Sequence, residues 1–576
     1  EDRPLGVHQV NDREADVEAF DASALQSPIF QRLEQLNAIG AALSSERDIN
    51  RLLEKILLAA KEITHADGGT LYLVTDDGTG LRFEIMRNDT LKIAFGGTSG
   101  NPINFPDLPF ADERGTPNNS MVAVYAALHA ETVNIEDAYS AQGFDFSGTR
   151  RYDERTGYRS QSFLTVPMKN HENAVIGVLQ LINSMPPGAD GERRVAPFSA
   201  ADQRLVESLS SQAAIALTNR QLILQLEGLF ESFVGLINLA IDEKSPYTGG
   251  HCARVPLLTM MLAEAANRTV DGPLAGFAMS DQDRYELKIA GLLHDCGKIT
   301  TPVHVVDKAT KLHTLYDRIH TVDTRFEVLM RDAEIALLRR CLALRDGAAA
   351  AATTASVVAA EAELQAGFTA HVAQLKADRE FLRRANIGGE TMSEADQQRV
   401  RDIGTRYRWT NAAGAEVDFL DADEIENLTI RAGTLTQAER DVINHHIVAT
   451  IRMLEELPWP KHLRRVPEFA GGHHERMDGK GYPKGLKRDE MSVQARIMGI
   501  ADIFEALTAK DRPYKPGKTL SESLHILGKF KENGHIDPDL FDVFIRQRVY
   551  LRYAEKFLDP QQIDSVDESR IPGFLP

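Results

Sequence analysis

Apolar residues recur at helical spacing from Pro28 to Ala66, through Leu33, Leu36, Ile39 and Leu43 and then Ile49, Leu52, Leu53, Ile56 and Leu57. The preceding residues, 1 to about 25, are polar and acidic without a period, and are expected to form a disordered or loosely attached arm. The period then shortens to two. Gly69 to Val74 alternates and stops at Asp76-Asp77-Gly78, a turn signal, and Leu81 to Met86 fits as its hairpin partner. Phe163 to Pro167 and Val175 to Ile182 read as two more strands, joined through Asn170 and Asn173. Helices flanking an antiparallel sheet predict an α+β unit over about 26–220.

A long helical pattern follows. Positions 205, 208, 212, 215, 219, 222, 226, 229, 233, 236 and 240 alternate spacings of three and four, and hold Leu, Ser, Gln, Ile, Asn, Leu, Leu, Leu, Phe, Leu and Ala. The second half is a good coiled-coil seam and the first half is wetter. Residues 205–240 are expected to be a helical linker that pairs two copies in a homodimer and carries movement from one domain to the next, the other reading being one amphipathic helix packed on its own domain. From about 235 to 560 the pattern is helical again, with polar loops rich in Gly and Pro. Between about 314 and 430 the chain is charged and alanine-rich, including Ala348 to Ala352, Ala359 and Ala360, which favours helix by propensity alone. This stretch is expected to be a helical insertion, a hairpin, without chemistry of its own.

Composition narrows the partners. With 576 residues, 43% of them hydrophobic, the chain can build two or three cores. A net charge of −19 disfavours polymeric nucleic acid, which needs a basic face, but not a small nucleotide held at a metal site. No uncharged apolar run of about 18 residues occurs, so no membrane span or signal peptide is expected. Cys252, Cys296 and Cys341 lie far apart, as suits a reducing cytoplasmic setting. The chain begins at Glu1 rather than Met, which leaves room for an upstream segment.

Five separated patches carry metal-type ligands. They are Tyr247-Thr248-Gly249-Gly250-His251, Leu293-His294-Asp295-Cys296-Gly297-Lys298, Asn444-His445-His446, Gly472 to Pro483, and Ile500 to Thr508. A lone histidine is most often a structural residue. An adjacent His294-Asp295 behind Gly291-Leu292-Leu293 is different, because a buried carboxylate beside an imidazole needs a counter-charge. The same holds for Asp502 inside the apolar run Ile497 to Leu507. Imidazole mixed with carboxylate, without thiolate, favours iron, manganese or zinc. One bridging carboxylate with several histidines suits two cations about 3.5–4 Å apart, and hence phosphodiester hydrolysis. Lys298 is placed to neutralise a phosphate oxygen or to support Asp295.

His294-Asp295 followed by His473-His474-Glu475, Asp478-Gly479, and Gly481-Tyr482-Pro483 resembles the HD-GYP family of the HD hydrolase superfamily. The resemblance covers about 235–312 and 430–555. It implies an all-α domain that hydrolyses cyclic di-GMP to pGpG and/or GMP with two divalent metals, iron or manganese. It places the metal ligands on His251, His294, Asp295, His446, His473, His474 and Asp502, with His294, Asp295 and Lys298 catalytic. His446 is preferred to His445 because Met453-Leu454 then fall where the family has its apolar pair. A third metal needs a carboxylate where this chain has Tyr247, so two metals are the expectation. For the substrate, the resemblance implies contacts from Lys298, Gly481, Tyr482, Pro483, Arg512 and Lys515, the last two as cations for the second phosphate. Other readings are an enzyme for another cyclic dinucleotide, such as 3′,3′-cGAMP, and an inactive cyclic dinucleotide receptor.

The N-terminal unit resembles a GAF domain through Asn134 to Tyr139, Thr156 to Ser160, Val175 to Asn183 and Phe198 to Ala216. Asn183, Phe198 and Asp202 match that family's signature, while Ser184 and Gln203 depart from it. The resemblance implies a small-molecule or cyclic nucleotide ligand, with Asp145, Thr156 and Tyr158 as pocket candidates.

Overall fold

The computed structural model describes residues 28–188, 192–245, 250–348, 354–389, 391–510 and 517–575. The predicted arm at 1–25 lies outside these residues. The chain divides into two compact units at Leu229 and Phe230.

In the first unit, α1 (Pro28–Ser45) and α2 (Ile49–Thr64) are separate helices. The continuous pattern read from Pro28 onward is cut at Asp48, whose side chain accepts from the Arg51 amide and starts α2. There follow β1 (Ala66–Val74), β2 (Gly80–Asn88), β3 (Ile93–Gly96), β4 (Leu108–Pro109), α3 (Val122–His129), β5 (Val133–Ile135), α4 (Ser147–Thr156), β6 (Phe163–Lys169) and β7 (Val175–Ser184). The strands form one antiparallel sheet in the order β3-β2-β1-β7-β6-β5, with β4 added to β2.

Alternation along β1 explains the layers. Leu71 and Leu73 pack with α2 through Leu52, Leu53, Ile56 and Leu57, whereas Tyr72 joins Ala123 and Val124 of α3. The β6–β7 turn uses the expected asparagines. Asn170 accepts amides with its side chain, and Asn173 adopts φ 63°, a left-handed conformation that asparagine tolerates.

The helix α5 (Ala200–Lys244) contributes to both units. Val206, Leu209, Ala213 and Leu217 complete the first core, and Val234 and Ile241 enter the second. By length and composition α5 is apolar enough to cross a membrane. Only its ends pack into protein cores, and just 6% of its most apolar 18-residue window is buried. Between them, Leu226, Leu229, Phe233 and Leu236 are 59–65% exposed, so the predicted seam is an open apolar stripe.

The second unit contains α6 (His251–Asn267), α7 (Asp281–Leu293), the short α8 (Val303–Val306), α9 (Ile319–Ala348), α10 (Thr354–Asn386), α11 (Glu394–Arg406), α12 (Ala422–Leu428), α13 (Gln437–Glu455), α14 (Val466–Gly471), α15 (Val493–Thr508), α16 (Leu520–Glu532), α17 (Pro538–Arg546) and α18 (Val549–Phe557). Its main core joins α6, α7, α14, α15, α16, α17 and α18. The helices α9 and α10 pack together and share a separate core with α11 and its flanking loops, built on Phe326, Leu375, Leu382, Ile403 and Phe419. A two-stranded hairpin, β8 (Arg408–Thr410) with β9 (Glu416–Asp418), is an addition to the predicted helices. Arg325 grips Glu424 bidentately at 2.7 and 2.9 Å and closes this part of the unit.

Candidate metal centre

The five patches converge. His251 opens α6, His294 caps α7, Asp295 follows it, His446 lies on α13, His473 and His474 follow α14, and Asp502 sits on α15. Two groups form, Asp295 with His446, His473 and His474, and Asp295 with His251, His294 and Asp502; in each, one ligand atom per residue lies within 4.8 Å of the others. Asp295 belongs to both. Its Oδ2 is 3.1 Å from His251 Nε2 and 3.2 Å from His294 Nε2, and its Oδ1 is 3.2 Å from His446 Nε2. His251 Nε2 is also 3.3 Å from Asp502 Oδ1.

Close packing brings these elements together. Gly297, two residues after Asp295, lies so near α13 that a Cβ would come within 2.0 Å of the His446 carbonyl. Its amide donates to Thr450 Oγ1 at 2.9 Å, fixing the turn to the helix that carries His446.

The imidazoles are oriented from behind. His294 Nδ1 donates to the Gly291 carbonyl at 2.8 Å, His473 Nδ1 to the Ala470 carbonyl at 2.6 Å, and His446 Nδ1 to the Ile443 carbonyl. Each bond commits the proton to Nδ1 and leaves an Nε2 lone pair facing the cluster. There His294 Nε2, His473 Nε2 and Asp295 Oδ1 are buried and make no hydrogen bond; their close neighbours are other acceptors or lie outside hydrogen-bonding geometry. His446 Nε2 and His474 Nε2 are 3.2 Å apart. Inward lone pairs without donors are what a cation requires, so these residues fit metal ions.

The electrostatics agree. Burial opposes ionisation of Asp295, yet Lys298 and His294 hold its carboxyl well below the usual range. Burial likewise opposes ionisation of Asp502, and His251 overcomes it. Burial, assisted by His474 and His294, keeps His473 neutral, and burial brings His474 down to about 4. Neutral imidazoles and ionised carboxylates are the ligating forms. His251 is the exception: burial lowers its pKa, but Asp295, Asp502 and Glu505 carry it well above the usual imidazole range, and a cation would have to displace its Nε2 proton.

Sequence reasoning missed two supports. Glu505 is fully buried, and its carboxylate meets His251 Nδ1 at 2.5 Å and Arg254 Nε at 2.7 Å. Each lies three residues from a ligand on its own helix, Glu505 from Asp502 and Arg254 from His251, and that spacing puts both on the ligand face.

The Gly481-Tyr482-Pro483 loop borders the cluster. Gly481 has no room for a side chain, since a Cβ would come 2.4 Å from the Arg476 amide nitrogen. Buried Glu475 holds the loop by accepting from the Lys484 and Leu486 amides at 2.7 and 2.9 Å. Tyr482 stacks on His474 with ring centroids 4.9 Å apart. A cleft of about 460 Å3 opens here, lined by Tyr482, Asp502, Arg476, Lys480, Lys518 and His535 among others. None of the last four was singled out in the sequence. Lys298 Nζ reaches Asp295 Oδ2 at 2.5 Å. Arg512, Lys515 and Tyr247 lie outside the described residues.

In the first unit a cavity of about 270 Å3 lies against β1 and β7. Tyr158 lines it, donating to Asp67 at 2.6 Å. Asp145 and Thr156 do not line it. Asp145 accepts from the Ser147 amide at the start of α4, and Thr156 bonds the Tyr152 carbonyl at its end. Asn183, buried with φ 57°, ties β7 to the Arg159–Ser162 segment.

Comparison with known proteins gives a GAF domain at residues 48–217 and HD-domain matches at 248–350 and 422–540. Among similar curated proteins is 3′3′-cGAMP-specific phosphodiesterase 1 of Vibrio cholerae, 44% identical over 27% of this chain and 36% of that one. Another is 3′3′-cGAMP-specific phosphodiesterase 3 of the same organism, 41% identical over 19% of this chain and 23% of that one. A cyclic di-GMP phosphodiesterase of Pseudomonas aeruginosa is 35% identical over 20% of this chain and 27% of that one. The matched stretches thus span about a third or less of these relatives' lengths. The first HD match contains His251, His294 and Asp295, and the second contains His446, His473, His474 and Asp502. The chain therefore joins a GAF domain to an HD-domain region whose two matched segments build one shared cluster.

Proposed function

We propose that the chain hydrolyses cyclic di-GMP, using two divalent cations, iron or manganese, held by His251, His294, Asp295, His446, His473, His474 and Asp502. The observation that carries this is Asp295, shared by two ligand groups at the edge of a cleft with basic walls. Bound cations would supply positive charge at the scissile phosphate and acidify water. The chain's own residues do the rest. His294, Asp295 and Lys298 sit at the reacting phosphate, with Lys298 held against Asp295 and available to a phosphate oxygen. Tyr482, Gly481 and Pro483 shape the wall, and Tyr482 offers a ring face to a base. Arg476, Lys480 and Lys518 face the cleft as cations for the second phosphate, with Arg512 and Lys515 as further contributors. Hydrolysis puts a hydroxyl on phosphorus and a proton on the departing 3′ oxygen, giving pGpG, and a second round gives GMP.

A second reading, 3′,3′-cGAMP as substrate, is favoured by the higher identity to a relative named for it. The test is metal analysis of the purified chain loaded with manganese or iron, coupled to product chromatography with each dinucleotide. Two metals per chain and a pGpG product are expected. Faster turnover of 3′,3′-cGAMP would shift the substrate, and no turnover of any cyclic dinucleotide at full metal occupancy would sink the enzymatic reading.

In this reading residues 26–220 form the sensor, 205–240 the linker, and 235–560 the catalytic domain with an insertion at about 314–430, in a cytoplasmic homodimer. Three scattered free cysteines agree with a reducing compartment. The sensor cavity is lined by Tyr72, Phe83, Tyr152 and Phe163, and its one arginine, Arg87, is paired with Glu54 at 2.5 Å. A neutral, flat ligand suits it better than a cyclic nucleotide, whose phosphate would meet no unneutralised lining cation. Pairing through α5 predicts that Leu229→Glu with Phe233→Glu converts a dimer to a monomer in light scattering, because each buried side chain is worth about 1.5–3 kcal/mol. A wild-type monomer would remove the linker reading.

A further inference from the structure

The turn that carries the catalytic pair is held on two sides, and only one of these is the metal site. After Asp295 the chain forms a short 3-10 turn, Cys296–Thr300. On one side Gly297 is bonded to Thr450 of α13. On the other, Lys244, the last residue of α5, donates from Nζ to the carbonyls of Lys298, at 3.4 Å, and Ile299. Among the described residues Lys244 makes no ion pair with a carboxylate. Burial lowers its pKa, while the two carbonyls accept from the charged ammonium. The next residue, Ser245, bonds Asp307 just beyond α8, so the end of α5 is tied to this region twice.

We infer that Lys244 is a positioning residue: through the Lys298 and Ile299 carbonyls it fixes the turn on which Asp295 and Lys298 sit. Its place on α5 gives this a further consequence. The open stripe Leu226, Leu229, Phe233 and Leu236 lies on the same unbroken helix, eight to eighteen residues before Lys244. A slide of α5 by about one residue rise, 1.5 Å, would take its terminal ammonium out of hydrogen-bonding reach. Lys244 thus links the end of the stripe-bearing helix to the turn of Asp295 and Lys298 without touching a metal ligand. The catalytic side of this inference rests on the phosphodiesterase reading; the structural side does not.

The test uses the full chain with Lys244→Met, which keeps the apolar stem and removes the donors, and Lys244→Arg, which restores them. Amide hydrogen exchange over residues 296–301 is the primary readout. We expect Lys244→Met to speed exchange there about tenfold, the worth of a lost charged hydrogen bond. We also expect a similar fall in kcat with KM and metal content unchanged, and recovery of both with Lys244→Arg. Unaltered exchange at 296–301 in Lys244→Met, or a loss of bound metal equal to the loss of activity, would overturn the inference. If the wild-type chain hydrolyses no cyclic dinucleotide, the phosphodiesterase reading fails, and the exchange measurement still decides whether Lys244 holds the turn.

Discussion

Asp295→Asn is expected to leave both units folded and to cut cyclic di-GMP hydrolysis by at least about a thousandfold, since several kcal/mol of charge stabilisation is at stake and each 1.4 kcal/mol is tenfold. The substitution keeps size and shape but removes the one charge that both ligand groups share. Oδ2 faces His251, His294 and Lys298, and Oδ1 faces His446. An amide turned with its nitrogen toward Lys298 would confront an ammonium, and turned toward His446 it would occupy that imidazole lone pair as a donor; neither orientation supplies the negative charge that two cations share. The site would retain Asp502 as the only carboxylate in either ligand group, so metal content should fall below two per chain. Metal analysis and product chromatography on the same preparation check this, with the thermal transition of the GAF unit as the folding control. Retention of two metals and wild-type turnover would show that Asp295 is not the bridging ligand. Loss of any single histidine should cost less, because each histidine serves one group only.

Legibility in the sequence followed the strength of local signals. The β-strands of the first unit that alternate over six or more residues were readable, because one face of each packs against a helix layer. Leu71 and Leu73 facing one way and Tyr72 the other is that pattern realised. The short strands β3, β4 and β5, and the helices α3 and α4, carry two to ten residues each, too few for a period to emerge. The break at Asp48 was hidden because a capping interaction ended a pattern that hydrophobic spacing alone continued. All seven proposed ligands meet in space because each patch combined a ligating side chain with an apolar or glycine-rich approach. Asp145 and Thr156 had no such support, and they serve the ends of α4 rather than the cavity. Lys518 and His535 join Arg476 of the Gly472–Pro483 patch in the cleft only through tertiary folding, and no spacing along the chain marks them.

Glu505 was within view, in the same run as Asp502, yet its role depends on where Nδ1 of His251 points. Glu505→Gln is expected to weaken metal binding about 10–100-fold, the usual effect of losing the partner that orients a ligating histidine. The carboxylate now accepts on both sides, from His251 Nδ1 with one oxygen and from Arg254 Nε with the other. Glutamine has a single oxygen. If that oxygen serves Arg254, the amide nitrogen faces Nδ1 and drives the imidazole proton to Nε2, where it points at Asp295 and Asp502 instead of leaving a lone pair for an ion. If it serves His251, a nitrogen confronts the guanidinium in a buried setting and the Glu505–Arg254 ion pair is lost. Both arrangements act on the group formed by His251, His294, Asp295 and Asp502. The second group shares Asp295 with the first, but its histidines His446 and His473 are backed by the Ile443 and Ala470 carbonyls and keep their orientation, so it is affected less. A manganese titration should therefore resolve into one site near wild-type affinity and one weakened site, with activity returning at high metal. Equal weakening of both sites would point to general loosening of the fold, and unchanged binding would show that Glu505 does not set the orientation of His251.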